Sequence, residues 1–246
     1  MAVVLDAVTS GSFPSKTTGT VSHTCSGSNR ALYAVIDMRA SDIVTGCTYN
    51  GVALTKLGVI DTITMNAQIW RMIAPPTGAH DLTVTTSANR RFILHAVSFT
   101  GVHQTTPDGT PVTGSGTGAG GIHPSVVVSS AAGEVVLDGA ALRNDDNTST
   151  LTADAGQTDR GNLANSNGTN SGIRGACSTE PGAASTTMSW TADGTDAWAQ
   201  IAVAIKPTAT LDQAINDILA VTDQMTPNNV APGGSRAGNI LMTGVA

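Results

Sequence analysis

Short runs in which apolar and polar residues alternate dominate this chain, and they predict β-strands. Leu82-Thr-Val-Thr alternates strictly, and the mostly apolar run Arg91–Phe99 ends at the breaker Thr100-Gly101. Such runs, bounded by Gly, Pro, Asn and Asp, are typical of strands. Asn50-Gly51 predicts a tight hairpin turn, since both residues tolerate positive φ. The pattern predicts strands near residues 2–8, 31–38, 43–48, 52–57, 67–74, 80–86, 92–99, 125–130, 134–142, 173–178, 185–191 and 196–205.

A weak internal repeat orders these strands. Val21–Arg39 predicts strand, turn and strand, and Val126–Arg143 predicts the same series. Phe92–Phe99 then matches Trp198–Ile205. The matched ends are 104 residues apart in the first pair and 106 in the second. Two similar strand sets interleaved into one sandwich account for this order, and a tandem pair of separate domains is the alternative.

Two long segments, residues 101–124 and 154–172, predict loops. The first is rich in Gly and Thr, the second in Gly and Asn, and neither carries an alternating apolar pattern. Loops of this length without structure of their own are often functional.

The chain changes character after Pro207. Apolar residues at helical spacing from Leu211 to Met225 predict an amphipathic helix, with Thr210 as its N-cap and Pro227 ending it. Such a short helix is marginal alone in water, so we expect its apolar face to dock on a partner; the alternative is that it covers an open face of the sandwich in the same chain. The sequence therefore predicts a body over residues 1–207 and a helix with an extended attachment arm over 208–246. The partner-binding residues expected in this arm are Leu211, Ile215, Ile218, Leu219, Met225, Ile240, Leu241 and Met242.

Composition narrows the class of protein. Hydrophobic residues make up 40% of the 246 residues and charged residues only 12%, which favours a globular all-β fold with a Thr- and Ser-rich surface. The net charge of −6 and the lack of a basic patch argue against nucleic-acid binding. No apolar run reaches the ~20 residues that span a bilayer. The N-terminus lacks the features of a signal peptide, so we expect cytoplasmic synthesis.

Residues that could carry chemistry do not form a recognised motif. Gly114–Gly121 lacks the Lys and Ser/Thr of a phosphate-binding loop, no serine lies in a GxSxG motif, and the five histidines lack metal-ligand spacing. Asp145-Asp146-Asn147 offers oxygen ligands to calcium but is interpreted as a solvated turn. The three cysteines are expected to be reduced, and no cofactor is predicted. The carboxylates available to a hydrolytic pair would be Glu134, Glu180, Asp138, Asp154 and Asp193.

Several stretches together resemble a β-sandwich module found in extracellular bacterial proteins and in structural proteins of tailed bacteriophages. The resemblance covers about residues 20–207 and rests on turns and core strands rather than on catalytic residues. The stretches that carry it are Asn50-Gly-Val-Ala-Leu-Thr, Ile69-Trp-Arg-Met-Ile-Ala-Pro-Pro-Thr-Gly, Ala96-Val-Ser-Phe-Thr-Gly-Val-His-Gln-Thr-Thr-Pro, Ser178-Thr-Glu-Pro-Gly-Ala-Ala-Ser-Thr-Thr-Met-Ser-Trp190 and Trp198-Ala-Gln-Ile-Ala-Val-Ala-Ile-Lys-Pro207. It implies an all-β, jelly-roll-like antiparallel sandwich.

The resemblance and the missing signal peptide favour a non-enzymatic virion protein. The first hypothesis is a capsid decoration (cement) protein, with a tail or fibre component second, whose partners are other copies of itself and the major capsid or tail protein. The alternative is a carbohydrate-binding or adhesin module that binds a surface glycan, for which exposed tryptophans would be needed. A polysaccharide depolymerase is the third hypothesis, and it would require a cleft with two carboxylates. Trp70, Trp190 and Trp198 lie in strand-like runs and are predicted to pack in the core.

Overall fold

The computed structural model describes residues 2–39, 41–116, 123–145, 148–165, 172–193 and 196–208. These residues form antiparallel β-sheets and contain no helix, which confirms the all-β class. The predicted helix over 211–225 and the arm that follows it lie outside the described residues. The strands are β1 (Val4–Cys25), β2 (Ala31–Arg39), β3 (Val44–Tyr49), β4 (Val52–Ala53), β5 (Thr55–Asp61), β6 (Met65–Ile73), β7 (Gly78–Thr100), β8 (Val112–Gly116), β9 (Ser125–Val128), β10 (Val135–Arg143), β11 (Leu151–Ala153), β12 (Thr158–Asn165), β13 (Ile173–Pro181), β14 (Thr186–Ala192) and β15 (Trp198–Ile205).

Strands β1 to β7 form the first half. The two long strands β1 and β7 are bent, so that one segment of each lies in a large sheet and the other segment lies in a small sheet. Residues 4–13 of β1 pair with residues 92–100 of β7, and residues 18–25 of β1 pair with residues 78–85 of β7. The first of these ladders extends into a large sheet in the order β5-β6-β2-β7-β1. The second extends into a small sheet in the order β3-β7-β1, with β4 added beside β3. Register shifts around Lys16 mark the bend of β1 between the two layers.

Strands β8 to β15 form the second half and repeat this strand order. The large sheet has the order β12-β13-β10-β15-β8, and the small sheet has the order β11-β14-β9. In this half two separate strands stand in place of each long strand of the first half. Strands β8 and β9 together correspond to β1, and β14 and β15 together correspond to β7.

The pairing registers of the two halves correspond residue by residue at the centre of each large sheet. Ala31 pairs with Phe99 on one side and Ile73 on the other, and Val135 pairs with Ile205 and Pro181. The strands near 31–38 and 134–142 therefore occupy equivalent positions, as do those near 92–99 and 196–205. This is the correspondence that the sequence repeat predicts.

The two halves are arranged in tandem and are not interleaved. Each described sheet takes its strands from one half alone, so the interleaved arrangement is wrong. The physical reason is that β1 and β7 pair along their whole length, which completes both sheets of the first half before the chain reaches β8. Residues 1–208 nevertheless form one compact unit, because the two large sheets pack on each other.

Four layers result, with apolar cores between them. The large and small sheets of the first half enclose a core that includes Leu32, Ile36 and Leu82. The corresponding sheets of the second half enclose Trp190 and Met188. The central core lies between the large sheets and draws on both halves. Its members include Tyr33, Val35, Ile69, Val97, Leu137, Ile173, Cys177, Ile201 and Val203.

Contacts between the large sheets follow an approximate two-fold axis that runs along the strands. The edge strand β5 lies over β15 and β8, while the equivalent edge strand β12 lies over β7 and β1. At the centre β2 packs on β10, so each half contacts the other through the same surface. This is the geometry of an isologous dimer, here contained within one chain.

Several predicted boundaries need correction. The strands expected over 80–86 and 92–99 are one bent strand, and the first strand extends to Cys25 rather than ending near residue 8. Short strands occur inside both predicted loops, as Val112–Gly116 and Thr158–Asn165, and Leu151–Ala153 was not predicted. Most of these segments lie at sheet edges, where one face and one ladder are exposed, so they carry a weak apolar pattern. Pro14 is tolerated in β1 for the same reason.

The hairpin and cysteine predictions are confirmed. Asn50 and Gly51 join β3 to β4 with φ of 51° and 75°, the positive values that a type I′ turn requires. Cys25, Cys47 and Cys177 are all buried and unpaired. They act as small apolar side chains in the cores.

Replacing Gly139 with Ala should destabilise the protein by about 1–3 kcal/mol, the usual cost of overpacking a core. Gly139 and Val35 hold equivalent positions in the two halves and meet near the two-fold axis. A Cβ on Gly139 would lie 2.2 Å from Cγ1 of Val35. Urea unfolding of the variant measures the loss.

Gly46→Ala is the matched control, because a Cβ there meets nothing within 4 Å. It should change stability by less than about 0.5 kcal/mol. Val35→Ala in the Gly139→Ala background should recover part of the loss, because it removes the clashing methyl groups. An equal loss in the Gly139→Ala and Gly46→Ala variants would contradict the packing of β2 on β10.

Candidate functional site

The residues predicted to bind a partner, from Leu211 to Met242, all lie outside the described residues. The exposed tryptophans that the carbohydrate-binding alternative would need are not found among the described residues. Trp70, Trp190 and Trp198 are buried, with exposed fractions of 9%, 0% and 5%. The other aromatic side chains are also buried, apart from the partly buried Phe13, which stacks on Phe92 at 5.0 Å. The prediction that the tryptophans pack in the core is confirmed.

Asp138 is the most completely hydrogen-bonded carboxylate of the body. Its Oδ1 accepts hydrogen bonds from the backbone N–H of Ser178 at 2.9 Å and from the Ser178 hydroxyl at 2.7 Å. Its Oδ2 accepts from Nε1 of Trp190 at 2.7 Å and from Nε2 of Gln200 at 2.8 Å. Burial raises the pKa of Asp138 to about 6, and these donors oppose the rise. With no exposed surface and four donors, this carboxylate stabilises the second half rather than meeting a substrate.

A second buried group lies between the two large sheets and contains serine, histidine and aspartate. The Ser10 hydroxyl is 2.8 Å from Nδ1 of His95, and Nε2 of His95 is 3.7 Å from Oδ2 of Asp37. Burial lowers the pKa of His95 to about 4 and raises the pKa of Asp37 well above its ordinary value. Burial thus disfavours the charged form of both groups, which argues against an ion pair between them.

This arrangement does not form a hydrolytic triad. His95 and Asp37 have no exposed surface, and 3.7 Å is too long for a hydrogen bond between them. A Cβ on Gly161 would lie 2.7 Å from Oγ of Ser10, so the backbone of β12 covers the serine. The Ser10 hydroxyl is therefore only partly accessible, and the imidazole beside it is fully buried.

Two of the other candidate carboxylates, Asp154 and Asp193, are engaged within the body, whereas Oε2 of Glu180 is buried without a hydrogen-bond partner. Asp154 accepts hydrogen bonds from the hydroxyls of Ser189 and Thr191 at 2.7 and 2.8 Å. Asp193 accepts from the backbone N–H of Thr150. These contacts lower the pKa of both aspartates, so neither is suited to act as a general acid at neutral pH.

Asp145, the described member of the candidate calcium turn, is held by two arginines. Its carboxylate lies 3.2 Å from Nη2 of Arg39 and 2.5 Å from Nε of Arg143. These arginines end β2 and β10 at equivalent positions, so the ion pairs lie near the two-fold axis. Within the described part of the chain, no group of three or more His, Cys, Asp or Glu side chains could hold a metal ion.

A groove of about 470 Å³ lies on the body beside the end of β15. Val127 borders it with 56% of its surface exposed. Its polar groups are partly used by the turn before β10, because Glu134 accepts the backbone N–H of Ala131 and Ser130 donates to the carbonyl of Ala183. The groove thus offers shape and apolar surface, but no paired acid and base. It is lined by Gly109, Thr110, Val112, Val127, Ser129, Ser130, Ala131, Glu134 and Lys206.

Comparison with family models, with curated proteins and with solved structures gives no match to this chain. Among the described residues there is no helix that is long and apolar enough to cross a membrane.

Replacing Trp190 with Phe should cost more stability at pH 7.5 than at pH 4. The folded pKa of Asp138, about 6, lies above the value of about 3.9 for an unfolded aspartate, so its protonation favours the folded state and this contribution is lost as pH rises through 6. The substitution removes the hydrogen bond from the Trp190 indole to Asp138. This bond is charge-assisted and contributes about 1.5–3 kcal/mol above pH 6, but only about 1 kcal/mol when Asp138 is protonated. Urea unfolding at both pH values measures the difference.

Trp70→Phe is the control for loss of an indole N–H. Nε1 of Trp70 donates to the neutral amide oxygen of Gln68 at 2.9 Å, so its cost should be the same at pH 4 and pH 7.5. A pH-independent cost for Trp190→Phe would show that Asp138 does not titrate in this range.

Proposed function

We propose that this chain is a structural protein of a tailed-bacteriophage virion, most favourably a capsid decoration (cement) protein and otherwise a tail or fibre component. The observation that carries the proposal is the strand order of the body, which occurs twice. Made in the host cytoplasm, the chain would act in the assembled particle, where its partners are the major capsid or tail protein and other copies of itself.

We interpret each half as a jelly roll. The large sheet would consist of the first, eighth, third and sixth strands of the half, and the small sheet of the second, seventh and fourth strands. The fifth strand runs between them, since β4 pairs with β3 of the small sheet and β5 pairs with β6 of the large one. Jelly rolls occur repeatedly in viral capsid proteins and in lectins, so this interpretation favours a particle or glycan-binding role by analogy of fold.

The placement of polar groups supports a non-enzymatic role. The serine, histidine and aspartate side chains that approach one another lie between packed sheets, and Asp145, Asp154 and Asp193 are engaged by arginines, hydroxyls or a backbone N–H group. A rigid body that buries its reactive groups is suited to a protein whose task is to cover and bind. The two aspartates that interact most directly among the described residues, Asp37 and Asp138, are fully buried, so they do not supply the accessible pair that the depolymerase hypothesis needs.

Stacking of sugar rings on aromatic side chains is not supported for the carbohydrate-binding alternative. A platform for sugar rings requires an exposed aromatic face, and the body has none. A glycan would have to be held by polar side chains alone, and the described contacts do not favour that arrangement over particle binding.

A reconstitution experiment tests the virion proposal. Particles that lack this chain are mixed with the purified full-length protein, sedimented, and imaged by electron microscopy. We expect saturable binding at repeated positions on the outer surface. Recovery of the chain only as a free protein, with no binding to particles at saturating concentration, would contradict the proposal.

Truncation after Thr208 should separate folding from attachment. Residues 1–208 form one compact unit, so the free energy of unfolding of the shortened protein should lie within about 1 kcal/mol of the full-length value. We expect it to lose most of its binding to particles, because the arm is predicted to carry the attachment residues. Gly139→Ala, which weakens the body but keeps the arm, is the control that should still bind. Undiminished binding of the truncated chain would show that attachment does not use residues 209–246.

A further inference from the structure

We propose that a cavity at the bend of the first half binds a phosphate or sulfate group. The cavity measures about 210 Å³ and is lined by Ser15, Arg39, Asn89, Arg90 and Arg91. Three of the 12 cationic side chains of the chain therefore line one small space, and no carboxylate lines it. The bend of β1 brings them together, since Lys16 pairs with Arg90 between two register shifts and Ser15 has a φ of 50°.

One guanidinium of the cavity has an unused donor. Nη1 of Arg39 is buried and makes no hydrogen bond within the protein, while Nη2 of the same side chain lies near Asp145. A buried donor of a charged group without a partner is costly, and Arg39 lines the cavity, so an oxyanion bound there would lie beside this unsatisfied guanidinium. The neighbouring guanidinium of Arg91 is oriented by its hydrogen bond to Oδ1 of Asn165 at 3.0 Å. The cavity is thus partly organised before any ligand enters.

The second half shows that the fold does not require this charge. By the pairing registers, Phe92 is equivalent to Trp198, so Arg90 and Arg91 correspond to Asp196 and Ala197. Asp196 accepts a hydrogen bond from the Ser149 hydroxyl at 2.6 Å. The same place in the same strand order therefore carries a negative charge in one half and two positive charges in the other.

The chemistry of the cavity favours a tetrahedral oxyanion. Guanidinium groups donate in pairs to phosphate and sulfate oxygens, and such charge-assisted bonds are the strong ones. A planar carboxylate has two oxygens, whereas a phosphate or sulfate group has three or four that can face three arginines at once. The source is either the free ion or the same group carried on a sugar.

Titration of the full-length protein in a phosphate-free buffer tests this site. Inorganic phosphate, sulfate, glucose 6-phosphate and glucose are added separately, followed by calorimetry and by NMR of the arginine Nε–H signals. We expect saturable binding of phosphate or sulfate with shifts at Arg90 and Arg91, and no binding of glucose. Tighter binding of glucose 6-phosphate than of phosphate assigns the site to a sugar-borne group, and the reverse order assigns it to the free ion.

Arg90→Asp places the charge of the second half in the first and should weaken binding at least about tenfold. Arg160→Ala removes one positive charge at the opposite end of the large sheets and should leave the affinity unchanged. If the unfolding temperature of Arg90→Asp differs from that of the wild type, the substitution has disturbed the fold, and Arg90→Gln is measured instead. The absence of saturable binding, or equal affinity in the Arg90 variant and the wild type, would overturn the proposal.

Discussion

The contact between the two large sheets is the interaction on which the rest of the molecule depends. Each large sheet is covered on its outer side by a small sheet, and packing against the other half removes its inner side from water as well. Strands β2, β10 and β15 are consequently buried along nearly their whole length. A sheet enclosed on both faces must be almost entirely apolar or must satisfy each polar group internally.

The two buried aspartates illustrate two solutions to this requirement. Asp138 faces the small sheet of its own half and keeps its carboxylate satisfied by four donors. Asp37 faces the opposite half, where neither carboxylate oxygen has a hydrogen-bond partner, and burial raises its pKa well above the ordinary value. The first gives the second half a specific polar network, while the second leaves an unsatisfied group at the centre of the contact between halves.

Fusing two copies of a fold in one chain permits differences that a symmetric dimer cannot have. Near the two-fold axis each residue meets its own equivalent, so two valines at the positions of Val35 and Gly139 would collide. The chain has a glycine in one copy. The equivalent residues Arg39 and Arg143 would repel each other, and the single carboxylate of Asp145 lies between them. The arginine cavity of the first half belongs to the same class of difference, because its counterpart carries Asp196.

The sequence by itself determined the all-β class, most central strands, the Asn50-Gly51 hairpin and the correspondence of the two halves. These follow from local properties, namely alternation, turn chemistry and the spacing of a repeat. It also predicted correctly that the tryptophans would be buried. Edge strands such as β8 and β12 were missed. An edge strand pairs on one side only and exposes one face to solvent, so few of its residues need to be apolar and the alternating pattern is weak.

Only the tertiary structure decided that the halves stand in tandem, since the same repeat suits interleaved and separate sheets. Ser10, His95 and Asp37 are distant in sequence and have no motif, so only the pairing of β1, β7 and β2 brings them together, and the packing of the second half encloses them. The cavity of Arg39, Arg90 and Arg91 likewise depends on the bend of β1, which places side chains from three strand segments in one space. Alternation reports which face of a strand is buried, but it does not report which strand lies opposite that face.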